Sequence, residues 1–218
     1  LVHLIGSQYD APEEGWLSEM LAEAAMAIGG YATDLAAARA WVRRTATTPV
    51  CVKTYADYGA VYLLGSYLHE QFGAELLRAL LQDPAHGLAS MEAQLETLGL
   101  TFREVFADFM VANLLDQPGL EDGRYGYESL DASALGYEMT AAIDGAAHQT
   151  GALGWGARYL RFTPAGAGTL TVGLASASFA KLGVRSVGFD PAHPETAVVA
   201  PHDLTSADTT FTVTVAAG

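Results

Sequence analysis

Between about residues 12 and 116 the apolar positions recur at three- and four-residue intervals, the period of helices with a buried face. The first such stretch opens near Asp10 and Pro12. It carries Glu13 and Glu14 in its first turn, where the helix dipole favours anions, and stops at Gly29 and Gly30. A second, irregular stretch covers Asp34 to Arg44. Residues 55–73 read as a buried, tyrosine-rich helix ended by Gly73, and residues 74–82 as a short helix halted at Asp83, because Pro84 disfavours helical geometry in the residue before it. Residues 88–99 form another helix, closed by Gly99. The last helical stretch begins with Thr101 and Glu104 spaced as a capping box, and Phe102, Val105, Phe106, Phe109 and Val111 to Leu115 fill its apolar side. Five or six helical elements therefore form one layer.

From Gly136 onward the period changes. Short runs rich in β-branched residues occupy 157–164, 168–176, 183–190, 195–201 and 209–217, separated by Gly, Pro, Asp and Ser. Tyr159, Arg161 and Thr163 alternate with Leu160 and Phe162, the period of a half-buried strand. The pattern predicts an α+β protein, a helical part over 1–125 followed by a small antiparallel β-sandwich over 126–218, with the boundary inside residues 117–135.

The first helix poses the chemical question. On a helical wheel Leu17, Leu21, Ala24 and Ile28 share one face, while Trp16, Met20, Met26 and Ala27 surround Glu19 and Glu23 on another. A helix apolar nearly all round is a buried helix, and a buried carboxylate needs a partner or a proton. One reading makes the two glutamates an edge pair one turn apart, meeting Arg39 or Arg43. The other gives them a histidine or a metal ion.

Charge and composition narrow the partners. With 11 Lys+Arg against 25 Asp+Glu the net charge is -14, which repels nucleic acid and anionic membrane surfaces. No apolar run reaches the roughly 18 residues of a membrane span, so no membrane insertion is expected. At 218 residues and 50% hydrophobic content the chain can bury a full core. The single cysteine, Cys51, reads as a buried structural thiol and leaves the compartment open. The first residue is Leu within a helical pattern, so the natural start is expected upstream.

Zinc hydrolases of the gluzincin type take two ligands from His-Glu-x-x-His on one helix and a third, a glutamate, from the next, leaving a position for water. Here Leu1-Val2-His3 would complete that motif if His-Glu preceded it, and Glu19 follows 16 positions after His3. The stretch HLIGSQYDAPEEGWLSEMLAEAAMAIGGY resembles the segment of hyicolysin-like bacterial metallopeptidases that reads His-Glu-Phe-Gln-His-Leu-Ile, an acidic loop, Trp-Leu-Asn-Glu-Gly-Leu-Ser-Glu and a Gly-Tyr end. Trp16, Leu17, Glu19, Leu21, Glu23, Gly30 and Tyr31 stand at matching positions, whereas Ser18 and Met20 replace the commoner Asn and Gly. YGAVYLLGSYLHEQFG, DPAHGLASMEAQL and TFREVFADFMVANLLD resemble that family's helical subdomain, and GWGARYLRF its β-rich tail.

The resemblance implies Zn2+ as cofactor, His3 and Glu19 as ligands and Glu23 as an acceptor fixing a ligand imidazole. It also implies a phenol hydrogen bond to the reacting oxyanion from Tyr58, a role for which Tyr55 and Tyr62, one turn to either side, compete. The implied activity is peptide-bond hydrolysis by metal-activated water, with a protein or peptide as substrate and an extracellular location. The first histidine and the base glutamate are not in the chain, so 1–218 by itself is expected to be inactive. The alternative is a noncatalytic secreted binding or adhesion protein whose β-domain takes a glycan or protein ligand and whose metal site is degenerate.

Other constellations carry less. His69-Glu70 lacks a second histidine, since Gly73 stands where it would be, and His86, His148, His193 and His202 lie in loop-like contexts without ligand spacing. The acidic segment from Asp116 to Asp131, with Glu121, Asp122 and Glu128, reads either as a calcium loop without the EF-hand pattern or as a solvated linker. Neither a Gly-x-Ser-x-Gly elbow nor a phosphate-loop pattern occurs.

Overall fold

The helical period of the first half resolves into α1 (Val2–Tyr9), α2 (Gly15–Ile28), α3 (Ala36–Trp41), α4 (Tyr55–Gln82), α5 (Gly87–Glu96) and α6 (Phe102–Leu115). The strands are β1 (Thr140–Ala141), β2 (Leu160–Arg161), β3 (Gly168–Ala175), β4 (Val184–Asp190), β5 (His193–His202) and β6 (Asp208–Val215), so the chain is α+β. The structure, a computed structural model, describes residues 2–9, 13–31, 35–137, 139–141, 147, 149–162, 166–178 and 181–215. The expected helix start at Asp10 and Pro12, the start at Asp34, the alternating Thr163 and the loop histidine His148 lie outside the described residues.

Helix α4 is the axis of the helical layer, with α2 and α3 packed along it. Close approach is built from small residues. A Cβ on Gly59 would lie 2.2 Å from the Ala37 backbone, and one on Gly65 would lie 3.0 Å from the Met20 carbonyl and from Ala24. Gly73 breaks α4 with φ 78° and ψ 177°, at the point where the sequence places the end of one helix and the start of another. Helix α6 starts as its capping box predicts: Thr101 Oγ1 accepts from the Glu104 amide at 3.3 Å, and Glu104 Oε2 accepts from the Thr101 amide at 2.9 Å.

The core runs from Trp16 and Leu17 through Trp41, Leu64, Tyr67 and Leu68 to Phe102 and Phe109. It extends past the helices. Tyr127, Ala132 and Leu135 belong to it, and Tyr137, Trp155 and Tyr159 pack against it, so the residues that follow the expected boundary at 125/126 supply aromatic cover to the helical layer. The Tyr159 hydroxyl donates to the Met110 carbonyl at 2.7 Å, and Trp155 packs on Phe102 with ring centroids 4.6 Å apart.

Two expectations about individual residues change. Helix α2 is not enclosed all round: Met26 and Ile28 are 44% and 50% exposed, while Glu19 and Glu23 are half-buried. Cys51 is half-buried rather than buried.

In the β-rich part, β3 pairs antiparallel with β6 and β4 with β5, each as a two-stranded sheet. The run around Leu160 does not join them. Leu160 and Arg161 pair instead with Thr140 and Ala141, in parallel. Val187, Phe189, Ala197 and Val199 of β4 and β5 cover Val111, Leu115 and Tyr125, which seats that sheet on α6. Arg185 of β4 reinforces the seat through Asp108 of α6 at 3.6 Å, and Arg124 reaches the same carboxylate at 4.0 Å. No helix of the described residues is long and apolar enough to cross a membrane.

Candidate metal-binding site

Helix α1 lies across the N-terminal end of α2 and against the second half of α4. Its approach to α4 is close, since a Cβ on Gly6 would meet Leu81 at 3.3 Å. This crossing sets His3 over the first turns of α2. The imidazole Nδ1 lies 2.9 Å from Ser18 Oγ, and Nε2 lies 3.5 Å from Glu19 Oε2. Both are partly open to solvent, with 51% of the His3 side chain and 30% of the Glu19 side chain exposed.

That spacing fits the donor set expected from the sequence. Ligands about 2.0–2.1 Å from a tetrahedral zinc stand about 3.3 Å from each other, close to the observed separation of imidazole nitrogen and carboxylate oxygen. A hydrogen bond on the far ring nitrogen is what orients a ligating imidazole. For His3 the partner of that nitrogen is the Ser18 hydroxyl, on the residue that replaces the commoner Asn of the resembling segment. Among the described residues no group of three or more His, Cys, Asp or Glu side chains could hold a metal ion, so His3 and Glu19 stand as a pair.

Glu23 sits one turn beyond Glu19 on α2 and is half-buried. Burial, followed by the negative charge of Glu19, raises its carboxyl above the ordinary glutamate value. No ion pair joins Glu19 or Glu23 to Arg39 or Arg43 among the described residues. The edge-pair reading through those arginines therefore has no geometry behind it.

The tyrosines divide. Tyr55 is 61% exposed and Tyr58 is 37% exposed, and no hydrogen bond or ring contact brings Tyr58 to His3 or Glu19 among the described residues. Tyr62 is the one that senses the carboxylates: burial raises its phenol above the ordinary value, with Glu23 and Glu70 adding to the effect. Beside His3 a cleft of about 80 Å³ opens between α1, α2 and the end of α4, lined by Val2, Gly6, Ser18, Leu80 and Leu81 among others.

The remaining candidates are occupied with holding the chain. Asp116 accepts from the amides of Tyr127 at 3.0 Å, Ala132 at 2.7 Å and Ser133 at 3.2 Å, and Asp131 accepts from the Ser133 hydroxyl at 2.6 Å and the Ala134 amide at 3.1 Å. These oxygens fold the strap after α6, while Glu121, Asp122 and Glu128 face solvent. Glu70 of the His69-Glu70 pair accepts from the amides of Glu128 and Ser129 and from the Ser129 hydroxyl. His193 pairs with Glu195 at 3.2 Å on the surface. Compared with protein-family models, with curated proteins and with solved structures, the chain finds no match.

Proposed function

We propose that the chain is the C-terminal portion of a zinc-dependent metalloendopeptidase of the hyicolysin-like type, carrying the second histidine and the glutamate of the metal site and followed by a β-sandwich appendage. The observation that carries this reading is the pair His3 and Glu19, from two crossed helices, with Nε2 and Oε2 3.5 Å apart and Nδ1 engaged by Ser18. Zinc held there would polarise a peptide carbonyl and activate water for attack. His3 would supply a neutral Nε2, with Nδ1 held at the Ser18 hydroxyl, and Glu19 a carboxylate. Glu23 would accept a hydrogen bond from a further imidazole contributed by residues before Leu1. Tyr62, whose half-buried phenol feels the charge of Glu23, competes with Tyr58 for the phenol role. The extracellular location and the protein or peptide substrate follow from the resemblance.

The decisive experiment reads the codons upstream of Leu1. His-Glu in the two preceding positions is the expected result, and any other pair removes the enzyme reading. Its companion measures zinc in the longer chain with Glu19→Gln; undiminished tight binding would take Glu19 out of the site. A noncatalytic binding protein is the second reading. It is favoured by the half-exposed apolar positions Leu170, Val172 and Leu174 of β3, a face a glycan or protein ligand could cover.

A further inference from the structure

The two antiparallel sheets meet at an imidazole. His202, at the end of β5, stacks on Phe211 of β6 with ring centroids 3.9 Å apart and planes inclined by 20°. Its Nε2 lies 2.8 Å from Ser186 Oγ on β4, so three strands converge on one half-buried ring. The β3–β6 sheet contributes nothing to the two buried clusters among the described residues. Among the described residues Leu170, Val172, Leu174, Phe211 and Val213 are no more than half-buried, and none belongs to or packs against the buried clusters of the helical layer and of α6. A charge developing on the His202 ring therefore acts on a contact that joins the sheets.

We infer that His202 is an acid-sensitive joint: as a neutral ring it docks the β3–β6 sheet on β4–β5, and once protonated it lets that sheet separate. The surrounding charges give the direction. On β4, Arg185 adjoins Ser186 and opposes a second cation, although Asp108 of α6, at 3.6 Å, draws on the same guanidinium. On β5's own continuation Asp203 is exposed to water, which screens its attraction. On β6 the ring meets uncharged Phe211, flanked by the hydroxyl residues Thr210 and Thr212. The aromatic face attracts a cation. Even so, burial first and Arg185 second hold the imidazole below the ordinary histidine value. A group that binds its proton more weakly docked than free favours the undocked form as the proton binds. The joint is thus closed near neutral pH and opens in acid.

The test uses the whole chain. The His202 ring is titrated by NMR from about pH 7.5 to about pH 4.5, alongside hydrogen exchange of the β3 and β6 amides corrected for its intrinsic pH dependence. The expected result is a several-fold faster exchange in β6 with the midpoint of the His202 titration, below the ordinary histidine value, while amides of α4 keep their protection. His202→Phe keeps a ring for the stack and cannot be charged, so it should abolish the step. A step that persists in that variant, a His202 titration with no change in β6, or a midpoint at or above the ordinary value would each overturn the joint. If His202→Phe does not fold, the two measurements on the unaltered chain still decide.

Discussion

Ser18 Oγ stands 2.9 Å from Nδ1 of His3, and the opposite nitrogen of the same ring is thereby turned toward Glu19. One hydroxyl on α2 holds the direction of a side chain on α1. In a chain extended upstream to include the first histidine, Ser18→Ala should weaken zinc binding about 10- to 100-fold with the fold intact. Competition against a chromophoric chelator measures it. Equal affinity would mean that the ring is oriented by packing against α2 instead.

Gly59 marks the closest helix contact. Because an added Cβ would fall 2.2 Å from the Ala37 backbone, Gly59→Ala must push α3 off α4. The expected loss is about 1–3 kcal/mol or more, read from urea unfolding. Gly65→Ala is gentler, since its tightest contacts, with Ala24 and the Met20 carbonyl, are at 3.0 Å and need a shift of only a few tenths of an ångström.

Asp116 closes the strap that follows α6. Its carboxylate accepts three backbone N–H groups, so Asp116→Ala leaves several donors with only water to meet them. A cost of about 2–3 kcal/mol is expected, and Tyr127 should lose its place against Tyr67. Proteolysis within 117–131, resisted by the parent chain and quick in the variant, reports the same loss.

Asp108 gives a pH signature. Burial lifts its carboxyl above the ordinary aspartate value against the pull of Arg185 and Arg124. A raised carboxyl pKa means that the folded chain holds the proton more tightly than the unfolded one. Stability therefore falls as pH rises from the ordinary aspartate value, about 3.9, through the raised one, and stays lower above it. Asp108→Asn should flatten this part of the profile of melting temperature against pH. Arg185→Met should cost about 1–2 kcal/mol in the parent chain and much less beside Asp108→Asn, because the half-buried carboxylate that loses its nearer cation is then gone.

Local signals were readable from the sequence, and long-range placements were not. The capping pair Thr101 and Glu104, the break at Gly73 and four of the strands depend on nearest neighbours in the chain, and each stands where the pattern put it. The exposed Met26 and Ile28 misled because a wheel records composition, not which neighbour covers a face. The alternation around Leu160 suits an antiparallel strand, yet it pairs in parallel with Thr140, beside Tyr159, whose hydroxyl is tied to Met110 some fifty residues earlier. At the site, spacing along the chain suggested His3 and Glu19 together. It carried no sign that Ser18 would orient the ring, since that depends on how α1 crosses α2.

The left-handed Gly73 governs more than the length of a helix. By ending one helical direction and beginning another, it sends Leu80 and Leu81 beneath α1, where they form the floor of the cleft that His3 overlooks. A β-carbon at that position would favour a continuous rod, carrying the floor away from the histidine while leaving both His3 and Glu19 in the sequence. Whether His3 has a fixed perch or hangs from a loose N-terminal turn is thus decided seventy residues away, by the absence of a single methyl group.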